Sequence, residues 1–256
     1  MRNILNFVFP VIIILSVFSS CGDDSSKTTD CDDVHWTYTE KEGPEHWADL
    51  CTDYSSCGGK TQSPIDIIDA AHDSTLTPII FNYTTTKTHI VNNGHTVQFN
   101  CDAGSKLTIN GTEYDLLQFH FHGLSEHKVA GKHFPLEVHF VNMASDNNYA
   151  VIGVFFEEGF ENALFSSYLS HFPHKKDAYD ADTEIDLSSL FPTNKSYYNY
   201  SGSLTTPPCS EIVNWYVLKN TVTASAEQIT EFQEVLHKNY RPVQPVNERE
   251  IKIFEE

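Results

Sequence analysis

The chain has 256 residues, 40% hydrophobic and 12% aromatic, enough apolar material to bury a large core and too much for an intrinsically disordered body. Sixteen Lys and Arg stand against 35 Asp and Glu, a formal charge of −19, and no basic cluster is placed to follow a phosphate backbone, so nucleic acid is excluded as a partner. Length permits one domain, because mainly β chains reach this size as a single unit.

The first twenty residues differ from the rest. Arg2 gives a positive start, an apolar run follows from Ile4 to Phe18, and Ser19 and Ser20 lead to Cys21. This reads as an export signal over residues 1–20. Its apolar run is about fifteen residues, short of the roughly twenty that span a bilayer. The segment from Val17 to Asp24 resembles a bacterial lipoprotein signal, in which the cysteine becomes the lipidated first residue, although Phe18 stands where leucine is usual. On that reading residues 21–33 are a polar tether lipidated at Cys21, and residues 34–256 are the folded body. The expectation is an exported protein, periplasmic or at the cell surface, that meets the membrane only through its lipid; simple cleavage and secretion is the alternative. Export lets disulfides persist. Six cysteines are present, and lipid on Cys21 would leave five, so that one stays unpaired within the chain.

From Ile65 to Val217 short β-like runs alternate with turn chemistry: Ile79 to Tyr83, His89 to Val91, His95 to Cys101, Leu107 to Ile109, Leu116 to His122, Leu136 to Val141, Val151 to Phe156 and Ile212 to Leu218. Two helical stripes interrupt them, Asn162 to Leu169 and Ala226 to His237, the second preceded by a Ser225/Gln228 capping box. Tyr197, Tyr198 and Tyr200 read as loop packing, and His171 and His174 as solvated. The fold class is mainly β.

Strand alternation organises QFHFH, where Gln118, His120 and His122 share one face and Phe119 and Phe121 the other. Same-face neighbours lie roughly 6.6 Å apart, close enough for two imidazoles to meet one ion. In PLEVHFV the same alternation puts Glu137, His139 and Val141 together, and an antiparallel return would bring His139 beside the first pair. Three neutral imidazoles with one open position describe a catalytic zinc site. Gln118 and Glu137 each precede a ligand by two residues, where an acceptor for the second ring N–H is needed. A cupin-like alternative uses His120, His122 and Glu126 in HxHxxxE spacing, but its upstream glycine position holds Tyr114 and no PxG with a downstream histidine follows.

Several ordered segments, HWTYTEKEGPEHW, TQSPIDI, NNGHTVQF, QFHFH with SEH, PLEVHFV, SGSLTTPPCSEIVNWYVL and RPVQPVNER, resemble the α-class carbonic anhydrases from His35 to about Ile253. The resemblance implies a large, twisted, mostly antiparallel central sheet with peripheral helices, and zinc-dependent reversible hydration of carbon dioxide to bicarbonate and a proton by zinc-bound hydroxide. It implies Zn2+ on His120, His122 and His139, with Gln118 and Glu137 orienting His120 and His139. Thr205 would be the gatekeeper, donating to Glu126, with Thr206 on the polar side; Val141, Val151, Leu204, Val213 and Trp215 would form the apolar wall for carbon dioxide. His95 would be the proton shuttle, with Tyr38, Asn93 and Gln98 along the water path. Cys57 and Cys209 would form a disulfide; the pairing of Cys31, Cys51 and Cys101 stays open, a Cys31–Cys51 bridge being one option that leaves Cys101 as a buried free thiol. His127 would be a buried structural group. Sulfonamides and anions would be inhibitors. The sequence departs after HFH, where many relatives carry Trp or Thr and this chain has Gly123-Leu124. The rival from another class is a catalytically silent, carbonic-anhydrase-like binding protein, and a third reading is a zinc hydrolase acting on esters.

Overall fold

The computed structural model describes Cys31 and residues 34–256; the segments expected to be export signal and tether, with Cys21, lie outside the described residues apart from Cys31. Eight strands carry the architecture: β1 (Thr86–Asn92), β2 (Val97–Asn100), β3 (Thr112–His122), β4 (Leu136–Met143), β5 (Tyr149–Glu158), β6 (Asp177–Ile185), β7 (Tyr197–Gly202) and β8 (Val213–Leu218). They run in the order β6-β1-β2-β3-β4-β5-β8-β7 within a 13-stranded sheet, continued past β7 by Lys252–Phe254 and Ala71–His72. Among these eight, β5 and β8 pair in parallel and every other neighbouring pair is antiparallel.

Alternation puts different chemistry on the two faces of this sheet. Phe119 and Phe121 of β3 and Val138 and Phe140 of β4 enter one large core. Helices α1 (Trp47–Leu50), α2 (Ala163–Tyr168) and α3 (Ala226–Leu236) lie outside the sheet, and Phe165 of α2 and Phe232 of α3 meet Phe121 at 5.5 and 4.8 Å between ring centroids. The Ser225/Gln228 capping box forms as the sequence predicts. Gln228 also bonds the backbone N and O of Asn162, the N-cap of α2, so one side chain fixes both helix starts. On the opposite face a smaller core contains Val141, Val151, Val213, Trp215 and Tyr200. Along one row Gln118 pairs with Val141, Val141 with Val151, and Val151 with Trp215, so the polar end of β3 runs into an apolar wall across four strands.

Two strands differ from the sequence reading. The three tyrosines from 197 to 200 lie in β7 rather than in a loop, with Tyr197 and Tyr200 buried. β6, sequence DAYDADTEI, is the charged strand at one edge of the sheet, and its exposed carboxylates erase the apolar alternation that marks a strand while discouraging edge-to-edge pairing. Cys57–Cys209 and Cys31–Cys51 are both disulfides, and Cys101 is a free, half-buried thiol pushed up to about 12 by burial. Among the described residues no helix is long and apolar enough to cross a membrane.

Candidate metal centre

His120 and His122 project from β3 and His139 from β4, with His120 and His139 directly opposite in the register. Ring nitrogens of the three lie within 4.8 Å of one another. Each ring has one nitrogen committed elsewhere. His120 Nδ1 donates to Gln118 Oε1 at 2.8 Å, His122 Nδ1 to the Asn239 carbonyl at 2.7 Å, and His139 Nε2 to Glu137 Oε1 at 2.9 Å. Because a carbonyl or carboxylate oxygen only accepts, these bonds fix the tautomers and leave lone pairs on His120 Nε2, His122 Nε2 and His139 Nδ1. His122 Nε2 is buried without any hydrogen-bond partner. Burial first, and then the neighbouring imidazoles, hold the His120 ring well below its ordinary pKa. His122 is also lowered, with burial the main cause. Three neutral, inward-facing imidazoles, one with an orphaned nitrogen, fit a divalent zinc.

The support behind the rings is continuous. Glu137 Oε1 accepts from His127 Nδ1 at 2.8 Å as well as from His139, and Oε2 accepts from the His127 backbone N–H at 2.9 Å. Burial works to raise the Glu137 carboxyl, but His127 and His139 together hold it well below the usual carboxylate range. His127 Nε2 lies 2.6 Å from the Tyr200 hydroxyl, itself 3.0 Å from Ser63 Oγ, so His127 is a buried support as the sequence predicts. Sequence reasoning missed two members of this support. Asn239 takes the His122 N–H on its carbonyl, accepts from Gly123 N through Oδ1 and donates to the Phe121 carbonyl, clamping the end of β3 where the Gly123-Leu124 departure falls. The acceptor is a backbone group 117 residues away, which no local spacing reveals. Arg241, also buried, donates its backbone N–H to Glu126 Oε1 at 2.8 Å and its guanidinium to Gln62 Oε1 and to the carbonyls of Ser63 and Cys57.

The other predicted residues fall into two groups, an apolar wall beside His139 and a set on neighbouring loops and strands. Trp215 meets the His139 ring edge-on at 4.8 Å and donates its indole N–H to the Ser203 carbonyl. Val141, Val151 and Val213 are buried beside it, with Leu204 packed against them. Thr205 is buried and Thr206 half-buried, on the loop closed by Cys57–Cys209. The expected hydrogen bond from Thr205 to Glu126 is not formed: Glu126 Oε1 is held by the Arg241 backbone N–H, and Oε2 lies 3.6 Å from His122 Nε2 and 3.9 Å from His139 Nδ1, on the lone-pair side of both rings, without a hydrogen-bond partner. Gln98 is the register partner of His120. Asn93 Oδ1 accepts from the backbone N–H of His95 and Thr96. The His95 ring stacks on Trp36 at 3.7 Å between centroids, while Tyr38 packs edge-on against Trp36 and Trp47.

A strand-borne three-histidine cluster beside one apolar wall is the arrangement of a candidate metalloenzyme site. The eukaryotic-type carbonic anhydrase family model matches residues 42–255. A carbonic anhydrase from Pectobacterium atrosepticum is 43% identical over 94% of this chain and 97% of its own, and one from a Nostoc species is 39% identical over 91% and 89%. The solved α-carbonic anhydrase of Thermovibrio ammonificans, in complex with the inhibitor sulfanilamide, superposes with a TM-score of 0.83 at 43% identity, covering 86% of this chain and 99% of that one. The chain belongs to the eukaryotic-type, or α-class, carbonic anhydrase family, whose general activity is the hydration of carbon dioxide.

Proposed function

We propose that His120, His122 and His139 hold zinc through Nε2, Nε2 and Nδ1 respectively, and that carbon dioxide is hydrated beside them to bicarbonate and a proton. The observation that carries this reading is the convergence of three lone pairs whose opposite ring nitrogens are all committed, His122 Nε2 being buried and unpartnered. Zinc in such a site is a Lewis acid that brings the pKa of coordinated water to about 7, an effect best known from this enzyme family itself.

The chain's own residues then supply position and environment. Val141, Val151, Leu204, Val213 and Trp215 offer carbon dioxide a dry face, suited to a substrate that accepts almost no hydrogen bonds. With zinc bound, the Thr205 hydroxyl would donate to Glu126 Oε2, a bond not formed in this structure and left open by an oxygen without a partner, and would accept from the nucleophile in turn, aiming a lone pair at substrate. Glu126 is held by Arg241 N–H, and Thr206 lies on the polar side. His95 carries the proton outward, past Tyr38, Asn93 and Gln98. Its ring is lowered below the ordinary histidine value by burial first and then by Lys176 and His35, which favours release of a proton once taken. Sulfonamides and small anions bind at the open position as inhibitors. The catalytic body spans residues 34–256, and lipid on Cys21 anchors it after export, outside the cytoplasm.

Stopped-flow hydration of carbon dioxide, with zinc measured on the same sample, tests the reading. Zinc-replete protein is expected to hydrate carbon dioxide in a sulfonamide-sensitive way and far faster than it cleaves activated esters. A zinc-replete sample without hydration would instead leave a binding protein.

A further inference from the structure

The turn that carries His95 packs against the 173–176 loop and the end of α3. Between them lies a groove of about 150 Å3 lined by Gly94, His95, His174, Lys175, Lys176 and His237. Gly94 has φ +91°, and any side chain there would collide with Lys176 Cε, so the lysine stem runs directly across the turn. The groove is positively charged on a chain of formal charge −19 with only 16 Lys and Arg. Among the described residues neither Lys175 nor Lys176 has a carboxylate within ion-pair distance; six other lysines are also unpaired, but these two are adjacent in sequence and line one groove together with His95. The nearest acid in sequence, Asp177, accepts from Ala178 N. The end of α3 contributes about half a negative charge, which two full ammonium charges outweigh.

We propose that this groove binds a small oxyanion bearing a basic oxygen, hydrogen phosphate being the simplest, and that the bound anion takes the proton from His95. The proposal rests on the reading of His95 as the shuttle. In the transfer the imidazolium N–H bond breaks and an O–H bond forms on the anion; His95 returns neutral, hydrogen phosphate leaves as dihydrogen phosphate, and nothing is oxidised or reduced. The groove answers a problem set by the whole molecule, since a strongly negative surface repels anionic proton acceptors at long range. A bound acceptor also turns an encounter into a transfer within one complex.

Initial rates of the zinc-loaded full chain, at fixed ionic strength and pH, are to be measured against inorganic phosphate and against imidazole. The wild type is expected to saturate with phosphate, and the K175Q/K176Q variant to need at least threefold more phosphate for half its maximal rate. Its requirement for imidazole shifts far less. Sulfate, an oxyanion too weakly basic to take the proton, is expected to suppress the phosphate-supported rate of the wild type more strongly than the imidazole-supported rate, the latter reporting only its inhibition at the metal position. Equal phosphate dependence in wild type and variant overturns the groove, as does equal suppression by sulfate in both buffers. H95A separates the two layers: unchanged turnover in weak buffer sinks the shuttle and the hand-off with it, whereas a loss in H95A beside an unaffected lysine variant sinks the groove alone.

Discussion

At the scale of single residues the metal centre depends on one carboxylate that serves two imidazoles. Glu137 Oε1 is shared by His127 and His139, and Gly153, the register partner of His139 on β5, leaves the room for it. A Cβ at Gly153 would stand 2.9 Å from Glu137 Oε1, so Gly153→Ala must displace an oxygen that two hydrogen bonds hold in place. The expected result is a loss of zinc affinity of about tenfold, read by competition with a chromogenic chelator, with the fold retained by circular dichroism. Unchanged affinity would show that the carboxylate moves freely. Acid should also act here. His120 and His122 are held neutral below their ordinary pKa, so the unfolded chain takes up protons near pH 6.5 that the folded, metal-free chain refuses. Their contribution to stability is therefore complete above about 6.5 and is lost as pH falls below it, on the order of 1 kcal/mol per pH unit for each ring. The Tm of metal-free protein should drop between pH 7 and 5, and His120→Asn should flatten that slope. A wild-type slope no steeper than the variant's would refute the assignment.

Between elements the least local connection is Cys57–Cys209, which spans 152 residues and joins the segment before Gln62 to the loop carrying Thr205. Gln62 Nε2 donates to the Cys209 carbonyl, and Arg241 donates to that of Cys57, so three distant stretches meet at one bridge. Replacing both cysteines by serine should cost roughly 2–5 kcal/mol in urea unfolding and weaken hydration more than zinc content, because the ligands sit on β3 and β4 and not on the bridged loop. Parallel loss of zinc would place the bridge under the metal instead. What is legible in sequence follows from the same division. The ligand faces can be read because β3 and β4 alternate cleanly, phenylalanine and aliphatic residues against histidine, glutamine and glutamate, and a period of two needs no tertiary information. α3 is legible from its stripe and cap. The Asn239 carbonyl and the Arg241 amide are backbone groups brought in by the chain's path, and they leave no side-chain pattern. Glycine at 153 likewise gives no sign of the carboxylate it accommodates until β4 and β5 are paired.

For the whole molecule the decisive quantity is charge. A formal −19 repels the anionic surface of a membrane, and loss of residues 1–20 removes only Arg2, which takes the value to −20. The net charge works against attachment by surface electrostatics, and no helix among the described residues is long and apolar enough to span a bilayer. Lipid on Cys21 makes a distinct prediction, because salt screens charges within about 8 Å at physiological strength but does not extract an acyl chain. Expressed with residues 1–20, the full chain should sediment with membranes at both low and high salt. Cys21→Ala should move it to the soluble fraction with its carbon dioxide hydration intact, since every residue proposed for hydration lies in the body after residue 34, from Tyr38 to Arg241. Release of the wild type by salt would contradict a covalent anchor, and sedimentation of Cys21→Ala would assign the attachment to the apolar run from Ile4 to Phe18.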